Sequence, residues 1–300
     1  MAWFRRSAPS RGYAVVTPVP GGAAALRLDP NGDRPRVGSY VWHAGAVADA
    51  AGLAHLAREA GAQEAPLIAL LSPEHYQTVV VDAPAVPEEE LRGALRWKVK
   101  DLINFHIDDA VLDHLPMPGG AGRGPSLYMV AAQSRAVRDL AKPYQEAGLR
   151  LEVIDIHETA QHNLAMRLAP SDYAIALLHV EGDTGLLTFS FADNLILSRR
   201  IEGRGATGDF LFEKVAMETQ RSVDYFERQH AMFPLAKLYL APMPNAAGLR
   251  AKLAEFLGVG VDILDMNALF DLSKAPDLGD SQHQNTAFHL LGAVLREGGK

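Results

Sequence analysis

Two stretches of the chain carry the same order of apolar spacings. In the first, alternating runs at Tyr13–Val19, Ala23–Asp29 and Arg36–Trp42 predict three short strands, separated by Pro-Gly-Gly and Pro-Asn-Gly turns. The spacing then becomes helical over about Val47–Ala60, with Val47, Leu53, Leu56 and Ala60 inward and Gly61 as the stop, and Pro66–Leu71 follows as a strand. In the second stretch, Tyr173–Val180, Leu186–Phe191 and Leu195–Glu202 are again three strands, turning at Glu181-Gly182-Asp183 and Asp193-Asn194. A helix over Thr207–His230 follows, with Leu211, Val215, Thr219, Val223 and Phe226 on its inner face, and then the strand Lys237–Leu240. Strand-strand-strand-helix-strand, occurring twice, is an internal repeat of structure although the two copies differ in sequence.

The material between the copies, roughly 72–133, predicts a strand over the alternating TVVVDAP, a helix, and two strands joined by the glycine-rich Gly119–Ser126. A helix at Arg135–Ala147, a strand at Leu149–Ile156 and a helix at Glu158–Leu168 lead to the second copy. A final helix, Thr286–Arg296, follows a polar linker around Ser273–Gln284. The expected division is a first half, 1–168, holding an inserted subdomain at about 72–133, and a second half, 169–300, that ends in the last helix. The doubled layout resembles the two ribonuclease-H-like halves of the actin and sugar-kinase superfamily.

Within the insertion, LRGALRWKVKDLINFHIDDAVLDHLPMP (Leu91–Pro118) combines features that a generic core segment has no reason to hold together. Pro87 and the acids Glu88, Glu89 and Glu90 suit a helix start, because proline forfeits only an unpaired N–H there and carboxylates complement the helix dipole. Leu91, Leu95, Val99 and Leu102 form one inward stripe by spacing, while Arg96, Trp97, Lys98 and Lys100 fall off it as a basic, aromatic flank. Asn104 and an extended Phe105-His106-Ile107-Asp108-Asp109 end the helix, and a strand follows at Ala110–Leu115.

Composition removes several classes of function. With 29 basic against 36 acidic side chains the net charge is −7, the opposite of the basic footprint that general nucleic-acid binding needs. The chain has no cysteine, which excludes disulfides, thiolate nucleophiles and cysteine zinc sites, and fits a reducing compartment. No apolar run approaches the ~18 residues of a membrane span. The leading Met1–Ser7, with Trp3, Phe4, Arg5 and Arg6, lacks the apolar core of a secretory signal and is expected to fray.

Several motifs come close to known chemistry and miss it. Gly203-Arg204-Gly205-Ala206-Thr207-Gly208 matches the dinucleotide pattern, yet that fingerprint needs a buried parallel strand before it and an acid at the end of the next strand. Here LILSRRIE closes a hairpin, and the next strand ends in Leu240-Ala241-Pro242, so the glycines are expected to turn the chain tightly into a helix capped by Thr207. Gly119–Ser126 lacks the phosphate-loop lysine, and Pro125 removes a donor. His157 and His162 are five apart, ~140° around a helix, so they cannot share one metal as the H-E-x-x-H pair does. Adjacent Asp108 and Asp109 would point to opposite sides of an extended segment, which leaves a glycosidase-type pair unsupported.

The repeat, the insertion and the Leu95–Pro118 run together resemble the PilM family of type IV pilus assembly proteins, and within it the branch serving the MSHA pilus. The cytoplasmic part of GspL from type II secretion is a more distant likeness. Leu95, Arg96, Trp97, Phe105, Asp108, Asp109 and Asp113 fall on the family's run, and Ser222–Gln229 (SVDYFERQ) is also similar. The resemblance covers nearly the whole chain. It implies an α/β, actin-like (ASKHA) fold of two ribonuclease-H-like halves with an inserted small α+β subdomain. It also implies a cytoplasmic protein, peripheral at the inner membrane through its partner, that grips the short N-terminal cytoplasmic tail of a PilN-like membrane protein. The contact residues expected from the flank are Arg96, Trp97, Lys100, Phe105 and Ile107.

PilM itself resembles an ATP binder, so the phosphate loops matter. The first hairpin should carry an acid and an early glycine, but the chain reads Tyr13-Ala14-Val15-Val16-Thr17-Pro18-Val19-Pro20. In the second, His179 replaces the acid and Glu181 the glycine, which puts a carboxylate beside a phosphate turn and blocks close backbone approach. The adenosine loop is replaced by Ala241-Pro242-Met243-Pro244, whose prolines offer no donors. The expectation is therefore a non-catalytic scaffold with no cofactor. The alternative is an ATP-binding switch with magnesium on a divergent pocket of Gly182, Asp183, Thr184, Gly203 and Gly205, and the weakest reading is a nicotinamide enzyme built on Gly203–Gly208.

Overall fold

Backbone pairing in the computed structural model, which describes residues 12–29, 34–45, 48–118, 124–168 and 172–296, builds one five-stranded sheet from each repeat. The first contains β1 (Ala14–Val19), β2 (Gly22–Asp29), β3 (Arg36–Ala44), β4 (Leu67–Leu70) and β8 (Leu151–Asp155), ordered β3-β2-β1-β4-β8. The second contains β9 (Ala174–Glu181), β10 (Thr184–Phe191), β11 (Asn194–Glu202), β12 (Leu235–Leu240) and β13 (Gly260–Ile263), ordered β11-β10-β9-β12-β13. In both, the first three strands form an antiparallel meander, and the last two run parallel to the central strand. Parallel returns need a crossover, supplied by α1 (Ala50–Glu59) and α5 (Gly208–Gln229). β9 is apolar from Ala174 to Leu178 and again at Val180, interrupted only by His179, because helices cover both of its faces; seven of its eight residues are buried. The five inner-face residues expected on α5 are all buried.

The antiparallel meander before Gly203 removes the dinucleotide reading, since no parallel strand feeds that turn. Thr207 does stand at the N-cap of α5, but its side chain makes no capping bond. Elements of the second half that the apolar spacing does not predict include α6 (Ala246–Phe256), the strand β13 it leads to and a short helix at Met266–Leu269. Only Val261 of β13 is buried, so that strand has no alternation to read.

Two helices lie between the sheets, α4 (His157–Ala165) and the last helix, α8 (Ser281–Val294), which follows the short α7 (Met266–Leu269). α8 starts five residues earlier than its apolar spacing suggested. Asp280 caps it, accepting from the N–H groups of Gln282 and His283, so the expected linker ends in helix. From Ala287 to Val294 every residue is buried, as expected for a helix with core on all sides.

The insertion is a three-stranded antiparallel sheet, ordered β5-β7-β6, of β5 (Tyr76–Asp82), β6 (Ala110–Met117) and β7 (Ser126–Gln133). α2 (Glu88–Val99) covers one face and α3 (Ser134–Glu146) leads back to β8. The other face docks on the second half, where the hydroxyls of Tyr128 and Ser198 are hydrogen-bonded at 2.6 Å. Beside it the Tyr76 hydroxyl donates to Glu158 Oε2 at 2.5 Å, and Arg200 Nη2 donates to Glu158 Oε1 at 2.8 Å. This polar link joins insertion, central helix and second half through one buried carboxylate.

The inward stripe of α2 is shorter than its spacing implied. Leu95 and Val99 are buried against Val81, Leu127, Met129 and Ala131, and Leu91 is half-buried. Leu102, expected inside, is 52% exposed, because the helix ends at Val99 and Leu102 lies beyond its last turn. Pro87 is the N-cap and not the first helical residue. Asp108 and Asp109 lie in a single 3₁₀ turn, Ile107–Asp109, and not in an extended segment. Among the described residues no helix is long and apolar enough to cross a membrane. The expectations for Trp3, Phe4, Arg5 and Arg6, for Val47, and for most of the Gly119–Ser126 loop fall outside the described residues.

Candidate functional site

The outer flank of α2 carries the first candidate surface. Its inner face is fixed by burial of Leu95 and Val99, and this turns Trp97 outward, 72% exposed. Lys100 Nζ stands 4.1 Å over the Trp97 ring, a cation–π contact that holds both side chains on one flank. Arg96 Nη2 donates to Asp108 Oδ1 at 2.7 Å, bracing the loop that follows the helix. The same loop is pinned to β5 by the Asn104 N–H, which donates to Gln77 Oε1 at 2.7 Å. Phe105 and Ile107 are half-buried and rest on the small core under α2. Lys100, Phe105 and Ile107, with Ile103 and Asn104, line a shallow groove of about 460 Å³. The five contact residues expected from the sequence therefore divide: three line the groove, Trp97 stands proud of the helix flank, and Arg96 is engaged in bracing the loop. The exposed Leu102 adds apolar surface at a position where spacing predicts burial.

The second candidate is the cleft between the two halves, about 1080 Å³, walled by the β1–β2 turn, the β9–β10 turn, α3 and α8. Pro18, Val19 and Pro20 form its first-hairpin wall. Opposite them Glu181 lines the cleft, and burial pushes its carboxyl up to about 7. His179 is buried beneath: its Nε2 lies 3.1 Å from the Asn285 carbonyl, and its ring stacks on Phe288 at 4.9 Å. Asn285 Nδ2 in turn donates to the carbonyls of Val180 and Pro242, both at 3.0 Å, so α8 fastens the two loops that would otherwise face a ligand.

Of the residues expected for a divergent nucleotide pocket, only Thr184 lines the cleft. Asp183, Gly203 and Gly205 are instead bonded to one another. The Gly203 N–H donates to the Asp183 carbonyl at 2.5 Å, the Gly205 N–H to Asp183 Oδ2 at 2.7 Å, and Lys214 Nζ to the Gly203 carbonyl at 2.9 Å. A Cβ at Gly203 would lie 2.4 Å from the Asp183 carbonyl oxygen, so glycine is required there for chain packing. The Thr184 hydroxyl donates to the Glu181 carbonyl at 3.1 Å. A phosphate needs several converging N–H donors, and two that these turns could offer are already spent on Asp183.

A histidine cluster that the sequence did not reveal closes the floor of the cleft. His157 begins α4, His179 sits on β9 and His289 on α8. The rings of His157 and His289 stack at 4.4 Å, and His179 meets His289 edge-on at 4.5 Å. Burial pushes His157 and His179 down to about 4, and His289 well below its ordinary value. His162 goes elsewhere, to Ser190 Oγ at 2.8 Å.

No protein-family model matches the chain, and no curated protein matches it. Solved structures do. A PilM–PilN type IV pilus biogenesis complex contains a chain similar at a TM-score of 0.75 and 18% identity, covering 97% of this chain and 100% of that one. The cytoplasmic domain of EpsL, an inner membrane component of the type II secretion system of Vibrio cholerae, aligns at 0.52 and 13% identity, covering 84% of this chain and 85% of that one. A protein of unknown function with an actin-like ATPase fold, from Bacteroides thetaiotaomicron, aligns at 0.50 and 12% identity over 90% and 96%. With the doubled sheet order, these matches establish an α/β, actin-like fold.

Proposed function

We propose that this actin-like chain is a non-catalytic cytoplasmic scaffold of type IV pilus assembly, an MshI-type protein of an MSHA-type pilus. In this reading it binds the short cytoplasmic tail of a PilN-like inner-membrane protein and is held at the membrane by that partner. The observation that carries the reading is Trp97, 72% exposed and braced by Lys100 on the flank of the inserted subdomain, beside a groove where Ile103, Phe105 and Ile107 alternate with Lys100, Asp101, Asn104 and His106. An aromatic anchor next to a half-apolar groove suits an extended peptide with one apolar side chain to insert and polar groups for the basic flank. The likeness to the pilus protein in the PilM–PilN complex supports the same assignment.

Fluorescence anisotropy with a synthetic tail peptide of the PilN-like partner tests it. Trp97→Ala is expected to weaken binding by about 30-fold, the ~2 kcal/mol of an aromatic anchor. As an exposed residue it should change stability by no more than about 0.5 kcal/mol. Unchanged peptide binding by the variant would remove the proposed surface.

The cleft bears on catalysis. Its β9–β10 turn presents the Glu181 carboxyl, and the neighbouring glycine N–H groups are held by Asp183. Millimolar ATP with magnesium is accordingly expected to leave the melting temperature unchanged. Micromolar affinity by calorimetry would establish the switch reading in place of the scaffold.

A further inference from the structure

His43 on β3, and His55 and Glu59 on α1, bring three metal-ligating side chains together at the edge of the first sheet, and none of them lines the groove or the cleft. Their ligand atoms all lie within 4.8 Å of one another, the one such group among the described residues. His43 Nε2 is 2.8 Å from Glu59 Oε2, and His55 Nε2 is 3.6 Å from the same oxygen. We propose that these three residues form a surface site for a divalent transition metal of the zinc class, with its remaining coordination open to solvent.

The geometry follows from the fold. Residues 55 and 59 are one helical turn apart, so they project from the same flank of α1. β3 lies at the outer edge of its sheet, and Ser39, Val41 and His43 alternate onto the face that α1 covers. Val41 packs into the core under α1, and the Ser39 hydroxyl donates to the Ala60 carbonyl at 2.7 Å. Strand and helix are thereby fixed against each other two residues from His43 and one from Glu59. α1 is itself anchored by Asp49, whose carboxylate accepts from the Gly52 N–H at 2.8 Å.

A tetrahedral zinc bound by two imidazole nitrogens and one carboxylate oxygen at ~2.0–2.1 Å separates its donors by roughly 3.3 Å. The two donor pairs that share Glu59, at 2.8 and 3.6 Å, bracket that separation, and the third pair, His43 with His55, lies within 4.8 Å, a gap that rotation of the two exposed imidazoles can close. The donor set is two nitrogens and one oxygen. That favours zinc, nickel or copper over magnesium and calcium, which demand all-oxygen shells. All three side chains are more than a third exposed, which leaves at least one position for water or for a ligand from another molecule.

The test is calorimetric titration of the chelator-treated full chain with zinc chloride, repeated with magnesium chloride. One zinc per chain is expected, with no response to magnesium. His43→Ala, His55→Ala and Glu59→Gln should each weaken zinc binding by about tenfold or more, the order of effect seen when metal-site contacts are lost. His114→Ala, on another subdomain, should leave it unchanged. All three substitutions are at exposed positions, and circular dichroism checks that each variant keeps its fold. Absence of zinc binding overturns the proposal, and so does any of the three variants that binds within about threefold of the parent. Loss of binding in His114→Ala would place the metal elsewhere and overturn it as well. None of these outcomes depends on peptide binding at Trp97.

Discussion

Gly292→Ala is expected to destabilise the protein by about 3 kcal/mol, at the upper end of overpacking costs. α8 crosses α4 at this glycine so closely that a Cβ would lie 2.0 Å from the Ala160 carbonyl oxygen and 2.6 Å from its carbonyl carbon. Both obstacles are backbone in a buried helix, so no side chain can swing away. The contact is further fixed by Asn163, whose Nδ2 donates to the Gly292 carbonyl at 3.0 Å. Helix propensity pulls the other way, since alanine is better than glycine by about 1 kcal/mol in a helix interior. The clash outweighs that gain. Gly93→Ala in α2, where nothing lies within 4 Å of the added Cβ, isolates the propensity effect and should raise stability. Thermal unfolding would show Gly292→Ala melting roughly 10 °C lower, given ~2–4 °C per kcal/mol for a chain of this size. A melting temperature at or above the parent's would mean that the two central helices separate freely.

The second large effect is loss of stability in mild acid. The unfolded chain protonates its histidines near 6.5, whereas folded His179 and His157 resist protonation down to about 4, and burial holds His289 well below its ordinary value too. Between those limits the unfolded state binds more protons. The stabilisation is therefore complete above about pH 6.5 and is lost progressively as the pH falls toward 4. His179, 4% exposed, contributes on the order of 3 kcal/mol at neutral pH by this linkage. His157 is half-buried at the cleft and contributes less. Glu181 acts in the opposite sense: its carboxyl, raised to about 7, favours the folded state as the pH falls through that value. One half-buried carboxyl offsets only part of the effect of the imidazoles, whose stacking also sets any first proton beside a second ring. Urea unfolding at about pH 7.5 and about pH 5 should differ by several kcal/mol, a large share of the ~5–15 typical of a domain. His179→Gln, which keeps a donor for the Asn285 carbonyl and removes the titration, should narrow the gap. Equal stability at both pH values would refute the mechanism.

Local periodicity carried the elements whose burial is one-sided and long enough to repeat. The α5 stripe from Leu211 to Phe226 and the hairpin turn at Gly182 were readable because each is set by neighbours in sequence. Leu102 misled because spacing continues past the end of a helix, and only the chain's departure after Val99 decides where the stripe stops. β13 went unread because four residues with one buried side chain leave no pattern. The start of α8 was hidden by its polar first turn, where the signal was the cap, Asp280.

The sequence alone determined the repeat, its strand and helix order and the insertion, and composition excluded thiol chemistry. It also marked the Arg96–Ile107 flank as unlike a core segment, since a tryptophan among lysines off the apolar stripe is visible in spacing. Only the tertiary structure decided which groups meet. His157, His179 and His289 come from three separate elements; Asp183 spends the glycine donors across a turn; His43 reaches His55 and Glu59 from an edge strand. The reason is physical: periodicity records which side of an element is apolar, because local burial sets it. What covers that side is decided by contacts between residues distant in the chain, and no local pattern encodes them.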